Sequence, residues 1–452
     1  MYPFLARNIL YPIGDLILKT KVIPYYNFLQ KSQWWSEDQL REWQNDKLRD
    51  LIQHAYVSVP YYRRMFNEHG ISPEDIRDRD DLKGLPLLTK DIIRENFKDF
   101  VSDDIGKRRA VLDSTAGSTG TPFKYYTELN AFSMAWAATF RGWSWAGYRL
   151  GDKRITFGGS SLVASHGVPM LQRIRDRLER NRRISSFGIN DEILGKYVEI
   201  IDRYGAPFLR GYASSIYALA LFAEKKGVTR IRPRAIFTTA EMLLPKYREV
   251  IEEQFQCKVF DNWGCNDGGG NACECEKHTG FHSAAERSII EFVNNDESGD
   301  GTGEIVLTDL HNYSMPFIRY LNGDVGTPSN ERCSCGRDLP LLKSIGGRAN
   351  TFVTTPEGKR FHGAYFSHIF FELSSFCQFQ VIQKSSDLWI IRVVPMSGID
   401  SSVQEKDIEE IKRAIAQRSE KLNVEVQVVD TIPTSKAGKW RYIINECANT
   451  VQ

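Results

Sequence analysis

The middle of the chain alternates short apolar runs with helical patterns, and this alternation limits the fold more than any other feature of the sequence. Each run ends in a polar or glycine-rich turn, and helical segments separate several of them. This order predicts an α/β domain whose strands carry ligand-binding residues where they end. The runs, between residues 154 and 264, are RITFGGS, APFLRGY, RAIFTTAE and KVFDNWG.

The C-terminal part of the chain has a different pattern, which indicates a second domain. At 452 residues the chain is too long for one compact core. After GGRANTF come a strand-like LWIIRVV, a helix from Ser402 to Leu422 and a strand-like VEVQVV, which is typical of a small α+β domain. We therefore predict a large domain over residues 1–348 and a small one over residues 349–452, joined near Arg348 to Thr351.

The composition is that of an ordinary globular protein and gives no sign of a nucleic-acid partner. The chain is 42% apolar and 26% charged, and its net charge is +2. Between Arg173 and Arg183, however, six arginines stand beside one aspartate and one glutamate. A solvated helix face is the favoured interpretation of this run, and an anion-binding patch is the alternative.

The N-terminal segment MYPFLARNILYPIGDLILKTK is apolar but lacks the features of a targeting sequence. Charged residues and prolines interrupt it, so it has neither the unbroken apolar stretch of a signal peptide nor the roughly 20 apolar residues of a membrane span. We expect a cytoplasmic protein with no membrane span. Docking of this segment against the body of the protein is the favoured interpretation, and peripheral membrane attachment is the alternative.

The stretch DSTAGSTGTPFKYY, residues 113–126, is unusually rich in hydroxyl groups and glycine. Strand-like sequences flank it, which predicts a loop between two strands. Backbone N–H groups freed by glycine, together with hydroxyl donors, are typical of phosphate-binding loops. The loop has no Walker lysine and is followed by a strand, so it is not a Walker loop. Taken alone, it fits a phosphate site or a polar hairpin turn equally well.

The cysteines cluster in one region, which favours a metal site over disulfides in a chain of this length. Cys275 and His282 are followed about fifty residues later by Cys333 and Cys335. Two thiolate or thiolate–imidazole pairs would satisfy tetrahedral zinc, and four protein ligands would make the site structural. We predict such a zinc segment within residues 265–335, with Cys273 and His278 as alternative ligands and independent free thiols as the competing interpretation.

Five motifs occur in the order and approximate spacing of the adenylate-forming enzymes. In particular, the chain resembles the phenylacetate–CoA ligase-like branch, which includes ligases of capsular-polysaccharide gene clusters and has members with a zinc-binding segment at the matching place. The resemblance covers nearly the whole chain and implies a large multi-subdomain N-terminal domain with a small mobile C-terminal domain. The motifs are STAGSTGTP, DNWGCND, MPFIRYLNGD, IGGRANTF and IPTSKAGKWR.

The resemblance assigns residues to ATP and Mg²⁺. Lys439 would bridge the attacking carboxylate and the α-phosphate, and Asp267 would hold Mg²⁺, although the family usually has glutamate there. Ser118 and Thr119 would hold the departing phosphates. The remaining residues implied are Thr115, Gly117 and Gly120 in the phosphate loop, Ala240, Glu241 and Trp263 at adenine, Asp324 and Arg348 at ribose or phosphate, Tyr212 and Ala213 near the acid, and Asn350 at the hinge.

The implied reaction is ATP-dependent activation of a carboxylic acid, followed by acyl transfer to CoA. An amine acceptor in polysaccharide or secondary-metabolite biosynthesis is the second alternative, and AMP transfer to a cofactor hydroxyl is the third. Asn266 and Asp267 depart from the family pattern and motivate a non-catalytic nucleotide-binding module, against which Lys439 argues. A homodimer formed through the C-terminal domain is a further expectation from the resemblance.

Overall fold

The computed structural model describes most of both predicted domains. Among the predicted site residues, Gly117, Ser118, Thr119, Gly120, Asn350 and Lys439 lie outside the described residues, and only the backbone of Thr115 and Arg348 is described. The described residues are 1–115, 123–158, 170–185, 190–293, 301–348, 353–358, 360–361, 366, 369–370, 373, 375–396, 399–417, 419, 421–433 and 443–447.

The chain begins with a helical region that leads into a hairpin. Ser36 caps the longest of these helices: its side chain accepts a hydrogen bond from Gln39, whose own side chain bonds back to the Ser36 backbone. None of the helices in the described residues is long and apolar enough to cross a bilayer. The helices are α1 (Tyr2–Leu5) continued by a π-helical turn (Ala6–Leu10) into α2 (Tyr11–Leu18), α3 (Val22–Ser32), α4 (Glu37–Ser58), α5 (Pro60–His69), α6 (Lys90–Glu95) and α7 (Leu129–Trp145), with short 3₁₀ turns at Pro73–Asp75, Asp81–Gly84 and Ile105–Lys107.

The predicted strands on either side of the hydroxyl-rich loop form an antiparallel hairpin. Strand β1 (Ala110–Thr115) pairs with β2 (Phe123–Glu128), and Thr115 is opposite Phe123. Phe123 and Tyr125 are buried and anchor β2 against the large domain. The packing of Phe123 and Tyr125 therefore fixes the position of β2 where the strand begins.

The predicted α/β alternation is confirmed by an eleven-stranded sheet. Strands β4, β3, β5, β6 and β7 are parallel, and the remaining strands pair in antiparallel fashion. The spatial order is β10-β11-β12-β13-β9-β8-β7-β6-β5-β3-β4. The strands are β3 (Arg154–Gly158), β4 (Asn181–Ser185), β5 (Phe208–Gly211), β6 (Ala235–Thr239), β7 (Lys258–Gly264), β8 (Asn271–Glu274), β9 (Phe281–Ser283), β10 (Ser288–Val293), β11 (Gly303–Asp309), β12 (Tyr320–Ser329) and β13 (Leu341–Arg348).

Helices cover both faces of the parallel half, which explains why its strands read as continuous apolar runs. On one face Phe208, Phe237 and Phe260 pack in one cluster with Trp143 of α7. Their neighbours in sequence point to the opposite face, because side chains alternate along a strand. The helices that follow these strands are α8 (Met170–Leu178), α9 (Asp191–Tyr204), α10 (Ala213–Lys225) and α11 (Pro245–Phe255).

The C-terminal part forms a separate small α+β domain, as predicted. Its four-stranded sheet has the order β18-β17-β16-β19, with β16 and β17 antiparallel and both outer pairs parallel. The helix predicted over Ser402–Leu422 is shorter in the structure and spans Ser401–Ala416. The elements are β14 (Val353–Thr354), β15 (Arg360–Phe361), β16 (Phe376–Gln383), β17 (Leu388–Pro395), α12 (Ser401–Ala416), β18 (Asn423–Val428) and β19 (Ile443–Asn445).

Candidate active site and Cys/His cluster

The predicted acid-side and adenine-side residues lie at the carboxyl ends of neighbouring parallel strands. Tyr212 and Ala213 follow β5 and are fully buried at the start of α10. Glu241 follows β6, and its Oε2 accepts hydrogen bonds from the Ser214 backbone N–H (3.0 Å) and hydroxyl (2.6 Å). This carboxylate thus satisfies a free N–H at the N-terminus of α10. Ala240 has a φ of +68°, which turns the chain sharply between β6 and Glu241.

Asp267 lies in the loop between β7 and β8 and is almost completely buried. The Tyr320 hydroxyl donates a hydrogen bond of 3.0 Å to its Oδ2, and the Lys90 ammonium lies 3.5 Å from the same oxygen. Lys90 also approaches the carbonyl oxygen of Asn322 at 3.4 Å and lies over the Phe123 ring. The carboxylate is therefore charge-compensated and fixed in position next to the base of the β1–β2 hairpin.

Asp324 lies on β12 and holds Trp263 by its ring nitrogen. The Trp263 Nε1–H and the Asn322 side-chain amide each donate a hydrogen bond of 2.9 Å to Asp324 Oδ2. Within the described residues no donor reaches the second carboxylate oxygen, Oδ1. Asp324 can therefore accept further hydrogen bonds from a ligand while it keeps the indole ring in place.

The loop between β7 and β8 depends on glycine at two positions. Gly269 has a φ of +78°, and a side chain there would approach the Asp309 carboxylate to 2.7 Å. A side chain at Gly270 would approach the Trp263 ring to 2.5 Å. Glycine at these positions therefore allows the loop to pack closely under the indole and to carry Asp267 back toward β12.

Sequence reasoning missed three residues that organise this site: Lys90, Tyr320 and Asn322. Tyr320 and Asn322 could have been predicted from the sequence, because they alternate with Asp324 along one strand and share a face with it. Lys90 begins helix α6 and reaches the site only through tertiary packing. We call Asp267 and Asp324, with Lys90, Trp263, Tyr320 and Asn322, the carboxylate site.

A second carboxylate network lies further back on β7. The Thr238 hydroxyl donates a hydrogen bond of 2.7 Å to Asp261 Oδ1, and the Asn262 N–H donates to the same oxygen at 3.0 Å. Burial, together with the nearby Glu274 carboxylate, raises the pKa of Asp261 to about 7. Arg248 forms two hydrogen bonds of 2.7 and 2.8 Å with Glu274, which remains ionised.

The structure brings together the four predicted zinc ligands, Cys275, His282, Cys333 and Cys335. Their ligand atoms all lie within 4.8 Å of one another. The Cys275 and Cys333 sulfurs are 3.6 Å apart, and Cys335 Sγ is 3.3 Å from His282 Nε2. A zinc tetrahedron with bonds of about 2.0–2.3 Å requires ligand–ligand distances of about 3.3–3.8 Å. Two of the six ligand–ligand distances in these residues, named the Cys/His cluster below, therefore match a tetrahedral site, and the others are no longer than 4.8 Å.

Burial and one backbone contact set the protonation and the orientation of the side chains in the Cys/His cluster. Burial lowers the pKa of His282 to about 4, so its imidazole is neutral and able to donate a lone pair near pH 7. Burial also raises the pKa of the Cys275 thiol to about 12, and a bound cation would reverse this effect. His282 Nδ1 lies 3.4 Å from the Leu339 carbonyl oxygen, which leaves Nε2 facing the thiols.

The alternative ligands point elsewhere. Cys273 is buried against α7, so that a side chain at Gly142 would approach its sulfur to 2.4 Å. His278 Nδ1 lies 3.4 Å from Glu274 Oε2, and its ring packs on Phe260 at 4.7 Å. Neither belongs to the four-residue group found among the described residues.

Comparison with known proteins gives two kinds of sequence match. The family model of the CapK C-terminal domain matches residues 353–446. Protein CapK of Staphylococcus aureus is 24% identical over 98% of this chain and 97% of its own length. A phenylacetate–coenzyme A ligase of Thermus thermophilus is 25% identical over 70% of this chain and 72% of its own length. The similarity to CapK therefore includes the C-terminal domain.

Comparison with solved structures gives the fold. A 2-hydroxyisobutyryl-CoA ligase, in the postadenylation state with R3-HIB-AMP, superposes with a TM-score of 0.73 at 18% identity. The superposition covers 93% of this chain and 94% of that enzyme. These findings confirm the prediction made from the five motifs. The chain has the fold of the adenylate-forming ligases and is related to CapK and the phenylacetate–CoA ligases.

Proposed function

We propose that this protein is an ATP-dependent, AMP-forming acid ligase that makes an acyl-adenylate and passes the acyl group to an acceptor. The observation that carries the proposal is the carboxylate site. Within an adenylate-forming fold, the buried Asp267 lies beside the hairpin that carries the hydroxyl-rich loop. Asp324, whose Oδ1 accepts no hydrogen bond from the described residues, holds Trp263 in the same site. The names of the relatives support the same reaction.

The donors of the carboxylate site fit a nucleotide with Mg²⁺. Mg²⁺ prefers oxygen ligands and commonly takes one or two carboxylates together with phosphate oxygens and water. Asp267 would supply the carboxylate, and Asp324 Oδ1 would accept hydrogen bonds from the ribose hydroxyls. Trp263 would offer an aromatic surface for adenine, next to Ala240 and Glu241. When bound, Mg²⁺ would offset the negative charge of the phosphates.

The chemistry requires positioning and charge compensation rather than a protein nucleophile. A carboxylate oxygen of the acid attacks the α-phosphorus, the bond to the bridging oxygen breaks, and pyrophosphate leaves. We assign the charge-bridging role to Lys439, contact with the departing phosphates to Ser118 and Thr119 with Thr115, Gly117 and Gly120, and a nucleotide contact to Arg348. In the second step the acceptor attacks the acyl carbon and AMP leaves. Asn350 remains our proposed hinge between residues 1–348 and 349–452.

We assign structural zinc to the Cys/His cluster. The two sulfur–sulfur and sulfur–nitrogen distances given above match a tetrahedron, and four protein ligands leave no position for substrate. The cluster ties the loop between β12 and β13 to strands β8 and β9. Its role is therefore to stabilise the antiparallel part of the sheet that carries Asp324.

CoA is the acceptor that we favour, because the phenylacetate ligases and the 2-hydroxyisobutyryl ligase are all named as CoA ligases. An amine is the second candidate. The acyl-adenylate is common to both candidates.

The test is pyrophosphate release from ATP and Mg²⁺ in the presence of a panel of aryl and short aliphatic carboxylic acids. We expect release that depends on one class of acid, followed by product formation when CoA or an amine is added. Asp267→Asn serves as the matched inactive variant, because it keeps the shape of the side chain and removes its charge. Acid-independent release would favour AMP transfer to a hydroxyl, and no release with any acid while ATP still binds would favour a nucleotide-binding module.

A further inference from the structure

The N-terminal helix has an exposed apolar face. Half of the large apolar side chains exposed in the described residues belong to the first 18 residues. Leu5, Ile9, Ile13 and Ile17 recur at every fourth position, and Leu16 lies beside them. This spacing places them on one side of a helix. Leu16 and Ile17 are the most exposed of the five, at 78% and 69%.

The opposite face of the same helix docks on the large domain, so the exposed stripe belongs to a fixed surface. Ala6 is fully buried, and its methyl group lies against Gly151. The Tyr2 hydroxyl donates a hydrogen bond of 2.7 Å to the Leu178 carbonyl, and Tyr11 packs edge-on against Phe140 with ring centroids 5.9 Å apart. Docking of this segment was the favoured sequence interpretation, but it covers only one side.

Cations lie near both ends of the helix that carries the apolar stripe. The arginine-rich helix α8 ends beside Tyr2, where the Arg180 guanidinium lies 4.7 Å from the centre of the Tyr2 ring. Helix α8 also exposes apolar Ile174 and Leu178, at 47% and 45%. At the far end of the stripe the chain continues into two exposed lysines. Four exposed cations of the two segments are Lys19, Lys21, Arg173 and Arg177, and a fifth, Arg7, donates a hydrogen bond to Asn27.

The acidic residues of these segments are already engaged, which leaves the surface net positive. Asp15 accepts hydrogen bonds from Thr20 and from the first N–H groups of α3, including Ile23 at 2.8 Å. Asp176 pairs with Arg183, and Glu179 pairs with Arg154 and Arg175. Among the described residues, none of the four exposed cations forms an ion pair.

We propose that this surface, formed by α1–α2 and α8, lies on an anionic lipid bilayer with the apolar stripe among the acyl chains and the cations at the headgroups. A helix with one apolar face, flanked by Lys and Arg, binds in the plane of the interface rather than across it. A second copy of the chain fits less well, because a two-fold interface would place the same arginines and lysines against each other. The proposal does not depend on the proposed reaction.

The test is flotation of the full-length protein with vesicles. We expect it to float with phosphatidylcholine vesicles that contain phosphatidylglycerol, and to be released by high salt. Leu16→Gln with Ile17→Gln should lower the partition coefficient by about tenfold or more. The matched control is Val57→Gln with Val428→Gln, which changes two apolar residues elsewhere that are 55% and 51% exposed and should leave binding and melting temperature unaltered.

The charge contribution is tested separately. Arg173→Gln with Arg177→Gln should lower binding to the anionic vesicles by about tenfold, whereas Arg203→Gln with Arg332→Gln should not. Failure to float at low salt, or equal loss in the control variants, would overturn the proposal. So would a dimer in light scattering that Leu16→Gln with Ile17→Gln converts to a monomer, without vesicle binding in the wild type, because a second copy would then cover the stripe.

Discussion

The Cys/His cluster and the carboxylate site lie on the same antiparallel half of the sheet but are assembled in opposite ways. All four members of the Cys/His cluster come from the turn after β8, from β9 and from the loop before β13, with ligand atoms within 4.8 Å. The carboxylate site contains Asp267 and Asp324, but the other groups proposed for catalysis, Ser118, Thr119 and Lys439, come from segments more than 100 residues away in the sequence.

This difference in distance along the chain fits what each site is proposed to bind. A closed metal site gains most when its ligands are already arranged, because its four donors need no substrate to complete them. Activation of an acid requires groups that contact ATP and then make room for an acceptor, so we expect some of them to come from elements outside the sheet. We therefore propose that one sheet carries a structural metal site and part of a catalytic site.

The largest effect is expected for Lys439→Ala, which tests whether adenylation and acyl transfer depend on different groups. Loss of one well-placed charge at the α-phosphate should lower acid-dependent pyrophosphate release by about a hundredfold to a thousandfold. Consumption of a synthetic acyl-adenylate with the right acceptor should persist, since that step does not join two anions. Lys436→Ala, in the same motif, is the matched control. Equal loss of both reactions in a folded protein would contradict the division.

For the Cys/His cluster we expect Cys333→Ser to abolish zinc binding. The melting temperature should fall by about 5 °C or more, because the metal would no longer hold the loop before β13 to the rest of the sheet. Metal analysis on protein kept reduced and away from chelators should give close to one zinc per wild-type chain and none in the variant. Cys257→Ser should leave both quantities unchanged. Full metal content in Cys333→Ser would mean that the ligands are wrong.

A smaller effect is expected at Asp324. Asp324→Ala removes the acceptor for the ribose hydroxyls and the partner of Trp263, so KM for ATP should rise about tenfold to a hundredfold. Asp324→Asn keeps one acceptor oxygen and should recover part of the loss. Zinc content should be unaffected in both variants. If KM for ATP is unchanged in Asp324→Ala, Asp324 does not contact the nucleotide.

The smallest effect concerns Asp261, between the two sites. Its folded-state pKa of about 7 lies above the unfolded value of about 3.9, so the folded protein binds more protons between these values and loses stability as the pH rises through this window. Asp261→Asn mimics the protonated form and should be more stable than the wild type at pH 8 by on the order of 1–2 kcal/mol, but not at pH 4. Urea unfolding at both pH values measures this, and a pH-independent difference would contradict the assigned pKa.

The sequence alone determined the α/β class, the small C-terminal domain and the hairpin strands, and it limited the candidate metal ligands to a few cysteines and histidines. These features depend on local patterns: apolar runs between turns, glycine next to hydroxyl residues, and the spacing of cysteines and histidine. Such patterns can be recognised in a sequence because the residues that form each of them lie close together in the chain. The relation to the adenylate-forming ligases was also readable, because five separate motifs keep their order.

Tertiary structure decided what depends on distant packing. It selected Cys275 and His282 over Cys273 and His278, since β8 ends before Cys275 and directs Cys273 toward α7. It brought Lys90 to Asp267 across 177 residues of sequence, which no periodicity reveals. It also determined that only one face of the N-terminal helix is covered. In each case the deciding quantity is the direction of a side chain relative to an element far away in the sequence, and sequence spacing does not encode that direction.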